Sequence, residues 1–388
     1  MSAYQGSSYN STQPQNNKNE YQPLDQVDFL IKTSPTREIV ANSFRISGIL
    51  KLSVVVRDAS GVETLSDVLP EHCVYLNPFA GVHSCFRSFQ SSLGGSIVEN
   101  NVLYGRYAGV IKQSQNTLEN LSCSTRDATE LCGVKNNHQL MGEVDQEGVS
   151  FSFSPLVALN RSSANLQSTR FNTVRLLTQL SASLECFYTT SEENDLAKAV
   201  VSIKYSMSKL LLQWREVPIA QINKNPIICQ NIFLNASSIV SKLSNITVQS
   251  PNPYDAVFTS FIKQSHMNKI NCDNNLSEYV KRINRLEFTI NSENAPLNYA
   301  ISNNGVTDNV YPDIAVNYCK ALKCGPKNSI GNLIGSQHWS FGIGCAMVES
   351  VNDKITQTMT IDDSATGSDD PSEEPLMAYT YLNSYVSV

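Results

Sequence analysis

Two residues of this 388-residue chain, His83 and Cys85, have types and a spacing that could serve nucleophilic catalysis. On a strand, side chains two positions apart share one face, so the imidazole could take the proton of the thiol. Such a pair also needs an oxyanion hole and an Asn or Asp that orients the imidazole, and the sequence indicates neither. The surrounding run alternates as a strand does. We therefore predict no catalytic residues and a protein that is not an enzyme.

The remaining Cys, His and Gly residues do not have the spacing of a metal or cofactor site. The ten cysteines include no CxxC pair, and His72, His138 and His266 are isolated. Neither GxGxxG nor GxxxxGK[ST] occurs. The glycines of FGIGC lie inside a strand pattern, where glycine marks a bulge or a close backbone approach more often than a phosphate site. We predict no metal and no cofactor.

Composition and charge exclude further classes of function. The formal net charge is −6, and Lys and Arg are scattered rather than gathered in the basic stripe that nucleic-acid binding needs. No apolar run approaches 18 residues, so no membrane span is expected. The segment MSAYQGSSYNSTQ lacks the apolar core of a signal peptide, so we expect reduced, largely buried thiols. Only 16% of residues are charged. A surface with few charges can be buried against copies of the same chain at low desolvation cost. The alternative explanation is the codon usage of an AT-rich genome.

The elements that would carry these residues are mostly strands. Between Phe44 and Val56, apolar and polar residues alternate as in a half-buried antiparallel strand. Gly94 and Gly95 lie between two β-patterned runs and predict a tight hairpin, because its turn needs positive φ. The segments PYDAVFTSFIKQ and YPDIAVNYCKALKCG are typical of helices, and YGRYAGVIKQ of a short helix or strand. Three alternating strands end the chain, the last two separated by an acidic, solvated loop, Asp362–Glu374.

These elements predict three regions. Residues 1–37 form an N-terminal arm, since residues 1 to about 26 are Gln, Asn, Ser and Tyr with almost no aliphatic side chains. Such an arm is flexible, or orders only against a partner, or is a disordered tail without a role. A first β-domain covers 38–217 and a second β-rich domain 218–388. The boundary is placed at Val217–Pro218 because proline cannot continue a central strand.

The order of several short motifs resembles a known family. CVYLNPFAGVHSCFRSFQ, the Gly-Gly hairpin and SIVENNVLY follow the pattern "(L/I)xPxxGxHSxI … IExxxxY" of icosahedral viral jelly-roll proteins of the adenovirus-type lineage. Within that lineage the chain is similar to the vertex (penton) proteins of virophages such as Sputnik, because the major capsid proteins of the group are longer. The matching residues are Leu76, Pro78, Gly81, His83, Ser84, Phe86, Ile97, Glu99 and Tyr104.

The resemblance implies an antiparallel eight-stranded jelly roll over 38–217, with the second domain as an upper or insertion domain. It implies a structural capsid protein that forms the pentameric vertex of an icosahedral shell, between hexameric major capsid capsomers. The partners would be four further copies of the chain, neighbouring major and minor capsid proteins, and host surface glycans. The location would be the virion, after assembly in the host cytoplasm or a viral factory.

One alternative is a β-sandwich lectin or receptor-binding protein for host attachment. A secreted protein of that class would carry a signal peptide and paired cysteines. An outward-facing capsid domain could also bind glycans, so the two hypotheses overlap. The oligomeric state separates them: a discrete pentamer supports the capsid protein, and a stable monomer with ligand affinity supports the lectin.

Overall fold

The structure is a computed structural model that describes residues 6–115, 129–132, 148–190, 199–299 without 276, 279, 281 and 292, 312–322, and 342–388. His138, one of the isolated histidines of the sequence, lies outside the described residues. The regular structure is mostly β-strand, as the alternating sequence predicts. The strands fall into two successive groups along the chain. Each group builds two antiparallel sheets of four or more strands, and the first group also has a two-stranded sheet.

The first group, the first roll, ends at Pro218. Its strands are β1 Ser8–Thr12, β2 Glu20–Tyr21, β3 Gln26–Lys32, β4 Arg37–Ile39, β5 Arg45–Arg57, β6 Glu63–Asp67, β7 Val74–Leu76, β8 Phe86–Leu93, β9 Ser96–Asn101, β10 Val149–Phe153, β11 Leu166–Gln167, β12 Thr173–Leu180, β13 Phe187–Thr189 and β14 Val200–Pro218. Two helices accompany them, α1 Tyr104–Gln115 and α2 Ser183–Cys186.

The sheets of the first roll join strands that are far apart in sequence. One sheet has the order β10-β5-β14-β1. In the same sheet, β2 and β4 also pair with β14, β6 pairs with β5, and β11 pairs with β4. The other has the order β3-β12-β8-β9, and β7 pairs with β13. Every second residue of β3 is buried, including Val27, Phe29 and Ile31, because that face packs on the opposite sheet. The chain thus passes repeatedly between two sheets, which is the path of a jelly roll.

The second group, the second roll, repeats this order of strands. It consists of β15 Ile228–Ile239, β16 Leu243–Gln249, β17 Tyr254–Lys263, β18 Ile283–Ile290, β19 Glu293–Tyr299, α3 Pro312–Ala321, β20 Ile343–Ser350, β21 Lys354–Ile361 and β22 Leu376–Ser387. Its sheets have the orders β15-β22-β17-β20 and β16-β21-β18-β19. A helix follows the corresponding strand in both rolls, α1 after β9 and α3 after β19. These strands lie in residues 218–388, which the sequence assigned to a second β-rich domain of the upper or insertion type.

Residues 6–37, which belong to the segment that the sequence assigned to an N-terminal arm, contain strands β1, β2 and β3. Strand β1 pairs with β14 from Ser8↔Glu216 to Thr12↔Leu212, and β3 pairs with β12 along its whole length. Tyr21 is only 1% exposed and belongs to the core. A polar segment can order in this way because its backbone groups pair with a strand whatever its side chains are. The partner that orders the segment belongs to the same chain.

Local predictions have mixed outcomes. The hairpin at Gly94 and Gly95 is confirmed, with φ of 56° and 92° between β8 and β9. The helix that begins at Pro312 is also confirmed. The predicted helix in PYDAVFTSFIKQ is wrong, because that segment is strand β17. Its burial is almost continuous rather than alternating, so its apolar residues imitate helical spacing.

The two rolls share one hydrophobic core at their junction. Helix α1 lies there, and its Tyr107 ring is 5.7 Å from the ring of Tyr381 on β22. Gly109 lets the helix approach the second roll closely, since a Cβ at this position would lie 2.5 Å from the Asn275 carbonyl oxygen. The side chain of Asn77 donates to Asp273 at 2.9 Å across the same junction. The contact between the rolls is therefore both apolar and hydrogen-bonded.

Candidate functional site

The structure does not assemble His83 and Cys85 into a catalytic pair. Both residues lie in the 3-10 turn Gly81–Cys85 rather than on a strand, so the expected shared strand face does not exist. Both are completely buried, at 0% exposure, and their side chains have different partners. A nucleophile in this position would have no access to a substrate.

His83 belongs to a buried polar network. Its Nδ1 is 2.6 Å from the Tyr104 hydroxyl, and its Nε2 is 3.6 Å from Oε2 of Glu130. Lys112 on α1 donates to the same Glu130 oxygen at 3.0 Å. Burial alone would raise the pKa of Glu130, but the hydrogen bond and charge of His83, together with Lys112, lower it to about 2. The network therefore holds an ionised carboxylate inside the fold.

Cys85 lies next to a second thiol and a tyrosine. The Tyr205 hydroxyl donates to the Ser181 carbonyl at 2.5 Å and lies 3.5 Å from the Cys85 carbonyl. Burial, followed by the neighbouring Cys85, raises the pKa of Cys186 well above its ordinary value. The Cys186 thiol donates instead to the Ala182 carbonyl at 3.4 Å. These groups pack the turn between β12 and α2 and behave as small buried side chains.

The other residues of the recognised motif are also structural. Glu99 on β9 is 1% exposed and accepts from Ser91 Oγ at 3.0 Å and from the Ala158 N–H at 2.8 Å. Burial raises its pKa to about 7, although these hydrogen bonds and the charge of Arg161 oppose the rise. The Tyr104 hydroxyl accepts from the Leu156 N–H at 2.9 Å. Glu99 and Tyr104 thus anchor the segment that follows β10.

Sequence reasoning missed the groups that complete this network. Asn160 is 7% exposed, and its side chain accepts from the Phe44 N–H at 2.9 Å and donates to the carbonyls of Phe44 and Pro155. Arg161 donates to the Tyr107 hydroxyl at 2.5 Å. Apart from Pro155, the partners named here are 54 or 116 residues away in sequence, so no local motif marks Asn160 and Arg161.

A cleft opens where the two rolls meet, beside this network. Its volume is about 250 Å³. Its wall combines apolar side chains such as Leu103 and Met267 with the charged groups of Arg87, Arg106 and Glu185. The first turn of α1 forms one side of the cleft, and the loop that follows β17 forms another.

The acidic loop Asp362–Glu374 is more ordered than its charge suggests. Asp370 is 5% exposed, and its Oδ2 lies 3.3 Å from Nζ of Lys242. Ser372 Oγ donates to the other Asp370 oxygen at 2.7 Å, and this bond lowers the pKa of that carboxyl. The other carboxylates are partly or fully exposed, as predicted. One of the six acidic side chains is thus a folded part of the second roll.

Within the described segments, no three His, Cys, Asp or Glu side chains come together as metal ligands would. No helix in that part of the chain has the length and apolar character to cross a membrane.

No protein-family model matches the chain, and no curated protein matches it by sequence. Solved structures do match its fold. The mavirus major capsid protein aligns with a TM-score of 0.51 at 10% identity, over 99% of this chain and 90% of that one. The Faustovirus major capsid protein gives 0.58 at 7% identity, over 99% and 90%. A chain of the Sputnik virophage structure gives 0.57 at 10% identity, over 99% and 86%.

At 7–10% identity, the sequences differ too much for the roles of individual residues to be transferred from these proteins to this chain. What they share with the chain is the course of the backbone over almost its full length. The chain therefore has the fold of the jelly-roll capsid proteins of these viruses.

Proposed function

We propose that this protein is a structural capsid protein, a building block of an icosahedral virus shell located in the virion. The observation that carries the proposal is the tandem of two similar rolls, which aligns over 99% of the chain with the mavirus and Faustovirus major capsid proteins. The buried state of His83 and Cys85 agrees with a non-enzymatic role, because the two candidate catalytic groups serve the core.

Within the shell, we favour a capsomer of the major capsid type. A chain with two similar rolls gives six similar rolls when three copies surround a three-fold axis, and such a ring fills a position with six neighbours. The pentameric vertex role expected from the sequence stays the second prediction. It rested partly on chain length, yet the chain spans 90% of the mavirus major capsid protein, so length does not favour the vertex.

The oligomeric state tests the proposal and separates the two positions. The full-length protein would be expressed, and its mass measured by native mass spectrometry and light scattering, followed by electron microscopy of the particles. We expect a trimer, while a pentamer would transfer the proposal to the vertex. A protein that stays monomeric up to high concentration and binds glycans would contradict both positions and support the lectin.

A particle reconstruction then tests the proposal directly. The density of a virion that contains this chain should accommodate two adjacent rolls per copy in the shell. Contacts with minor capsid proteins, binding of host glycans and assembly in the cytoplasm remain predictions of the same proposal. Reduced thiols are a further prediction of the same proposal, and most of the cysteines in the described segments are buried.

A further inference from the structure

The carboxyl group of Glu99 lies on the strand of the first roll that contacts the second roll. This strand, β9, is the last of its sheet, and it packs against β15. Glu99 is 1% exposed, and its Oε2 accepts from the Ala158 N–H at 2.8 Å. The carboxyl group is therefore bonded to the backbone of a second segment, away from solvent, next to the junction of the rolls.

The segment that donates to this carboxyl group is the connection between β10 and β11, residues 154–165. The connection also bonds to the second roll. Its Ser162 forms an antiparallel bridge with Cys229 of β15, and the Ser163 N–H donates to the Ile228 carbonyl at 2.8 Å. The Ile228 N–H donates in return to Ser163 Oγ at 2.9 Å. One short connection thus joins the buried carboxyl group to an edge strand of the other roll.

The same connection reaches the junction a second time through Arg161. Its Nη1 donates to the Tyr107 hydroxyl at 2.5 Å, and the Tyr107 ring lies 5.7 Å from the ring of Tyr381 on β22. The charge of Arg161 also acts on Glu99. A change in the state of the carboxyl group would therefore reach both links between the connection and the second roll.

Few charges surround Glu99. Among the described residues, Arg161 is the one cation whose charge acts on the carboxyl group, and Ser91 on β8 is uncharged. Burial raises the pKa values of the Tyr104 hydroxyl and the Cys229 thiol, so both groups are neutral at pH 7. The titratable groups around Glu99 are Arg161 of the connection, Tyr104 of α1 and Cys229 of β15, with the Glu130–Lys112 pair beyond Tyr104.

Ionisation of Glu99 creates a charge that these surroundings solvate poorly. Burial raises its pKa to about 7, although the hydrogen bonds and Arg161 oppose the rise. If the connection moves away and water enters, the carboxyl group regains a pKa near its ordinary value of 4.5. Rising pH therefore favours the open arrangement, because that arrangement releases the proton more readily.

We propose that Glu99 is a proton-operated clamp on the junction of the two rolls. With its proton bound, the carboxyl group holds the β10–β11 connection against β15, and after ionisation it releases the connection and lets water in between β9 and β15. The stabilisation of the closed junction is complete below pH 4.5 and is lost as the pH rises through 7. The clamp follows from the geometry of the single chain and does not depend on the proposed capsid function.

Two cysteines of the second roll allow the opening to be measured. Cys229 lies at the junction, and Cys345 lies in the core between the two sheets of the second roll. Both are 0% exposed, and burial is the main reason that the pKa of each thiol is about 11. The full-length protein is treated with methyl methanethiosulfonate at pH values from 5.5 to 8.5, and mass spectrometry of its peptides gives the modification rate of each cysteine.

The wild type is compared with Glu99→Gln, in which the clamp cannot ionise. The ratio of the two Cys229 rates at one pH cancels the pH dependence of the thiol chemistry. We expect this ratio to rise roughly thirtyfold from pH 5.5 to pH 8.5, as a pKa change between 4.5 and about 7 requires. The ratio at Cys345 should stay constant, and the exposed Glu63→Gln should behave as the wild type.

Arg161→Gln gives a second test that keeps Glu99 in place. Without the cation the pKa of Glu99 should rise further, so the increase in the Cys229 rate should level off at a higher pH than in the wild type, where it levels off just above pH 7. If Glu99→Gln does not fold, the rate of Cys229 relative to Cys345 in the wild type and in Arg161→Gln decides.

Three results would overturn the clamp. Equal increases at Cys229 and Cys345 would show that the whole chain unfolds rather than the junction. A Cys229 rate that keeps the same pH dependence in Glu99→Gln as in the wild type would show that another group controls the opening. A plateau at the same pH in the wild type and in Arg161→Gln would show that the titrating group is not the carboxyl group beside Arg161.

Discussion

Glu99 and Glu130 are two buried carboxyl groups whose surroundings move their pKa values in opposite directions. Burial dominates at Glu99 and raises its pKa to about 7, whereas the His83 and Lys112 partners dominate at Glu130 and lower its pKa to about 2. The same residue type therefore contributes to stability in opposite pH ranges.

Glu99 should destabilise the fold as the pH rises. Its pKa in the folded state lies above the ordinary value of 4.5, so its contribution is full below pH 4.5 and is lost as the pH rises through 7. The glutamine side chain of Glu99→Gln does not titrate. The substitution should therefore remove about 3 kcal/mol of the loss in unfolding free energy that occurs as the pH rises. Urea unfolding at pH 4.5 and pH 8 measures the difference, with the exposed Glu63→Gln as control. If the unfolding free energies of Glu99→Gln and the wild type changed equally between the two pH values, the raised pKa of Glu99 would be contradicted.

Glu130 should act in the other direction. Its pKa in the folded state lies below 4.5, so its contribution is present above pH 4.5 and is lost as the pH falls towards 2. Glu130→Gln should therefore cost about 3 kcal/mol at pH 7 and much less near pH 2. Chemical unfolding at the two pH values checks this. A cost that is the same at both would mean that packing, and not ionisation, determines the effect.

The motif residues show what sequence could and could not predict at this scale. Their order pointed to the right fold, and His83, Glu99 and Tyr104 do come together near one end of the first roll. Their roles were not readable, because each depends on burial and on partners such as Glu130 and Ala158 that lie elsewhere in the chain. Arg161 carried no signal at all, since its partner Tyr107 lies where the two rolls meet.

At the scale of elements, β21 shows the most regular alternation in the second roll. Met359 is 1% exposed, and the next residue, Thr360, points to the other, partly exposed face. Met359→Asp should prevent folding, because a carboxylate cannot be hydrated in that core. Thr360→Asp, one position along the same strand, should change the free energy of unfolding by less than about 1 kcal/mol. Circular dichroism and thermal melting compare the pair, and equal effects would place the strand in the other register.

Two tyrosines test the ordered N-terminal segment. Tyr21 is 1% exposed and Tyr9 is 80% exposed, although both lie in the stretch that the sequence assigned to a flexible arm. Tyr21→Ala should cost about 3 kcal/mol, as truncation of a buried aromatic residue does. Tyr9→Ala should cost less than about 0.5 kcal/mol. Denaturant unfolding distinguishes the two variants. If Tyr21→Ala left the free energy of unfolding unchanged, the N-terminal segment would instead be a flexible arm.

Strands were predictable from the alternation of apolar and polar residues wherever one face is buried and the other faces solvent, as in β5, β8 and β21. Strand β17 was not, because residues from Ala256 to Ile262 are all buried and period 2 disappears. The polar strand β1 was not either, since its order comes from backbone pairing with β14. Both failures have the same origin: the deciding partner is remote in sequence.

At the scale of the whole molecule, the shared core makes the two rolls interdependent. One cluster of buried side chains includes Tyr107 of the first roll and Phe258 and Tyr381 of the second. We therefore expect a single heat-unfolding transition in which the calorimetric and van't Hoff enthalpies agree. Scanning calorimetry of the full chain measures this. Two separated peaks would show that the junction is too weak to couple the rolls.

The pairing of β1 with β14 also determines when the protein can fold during its own synthesis. Ser8 meets Glu216, so the first roll cannot complete its sheet until roughly 200 further residues have left the ribosome. At 5–20 residues per second, the nascent chain waits about 10–40 s with open strand edges, a period in which chaperones matter most. Once Pro218 has emerged, every strand that pairs in the sheets of the first roll is available. The side chains of the shared core stay uncovered until the second roll follows. A translational pause just before β14 thus leaves strand edges open, whereas a pause after Pro218 leaves only the junction exposed.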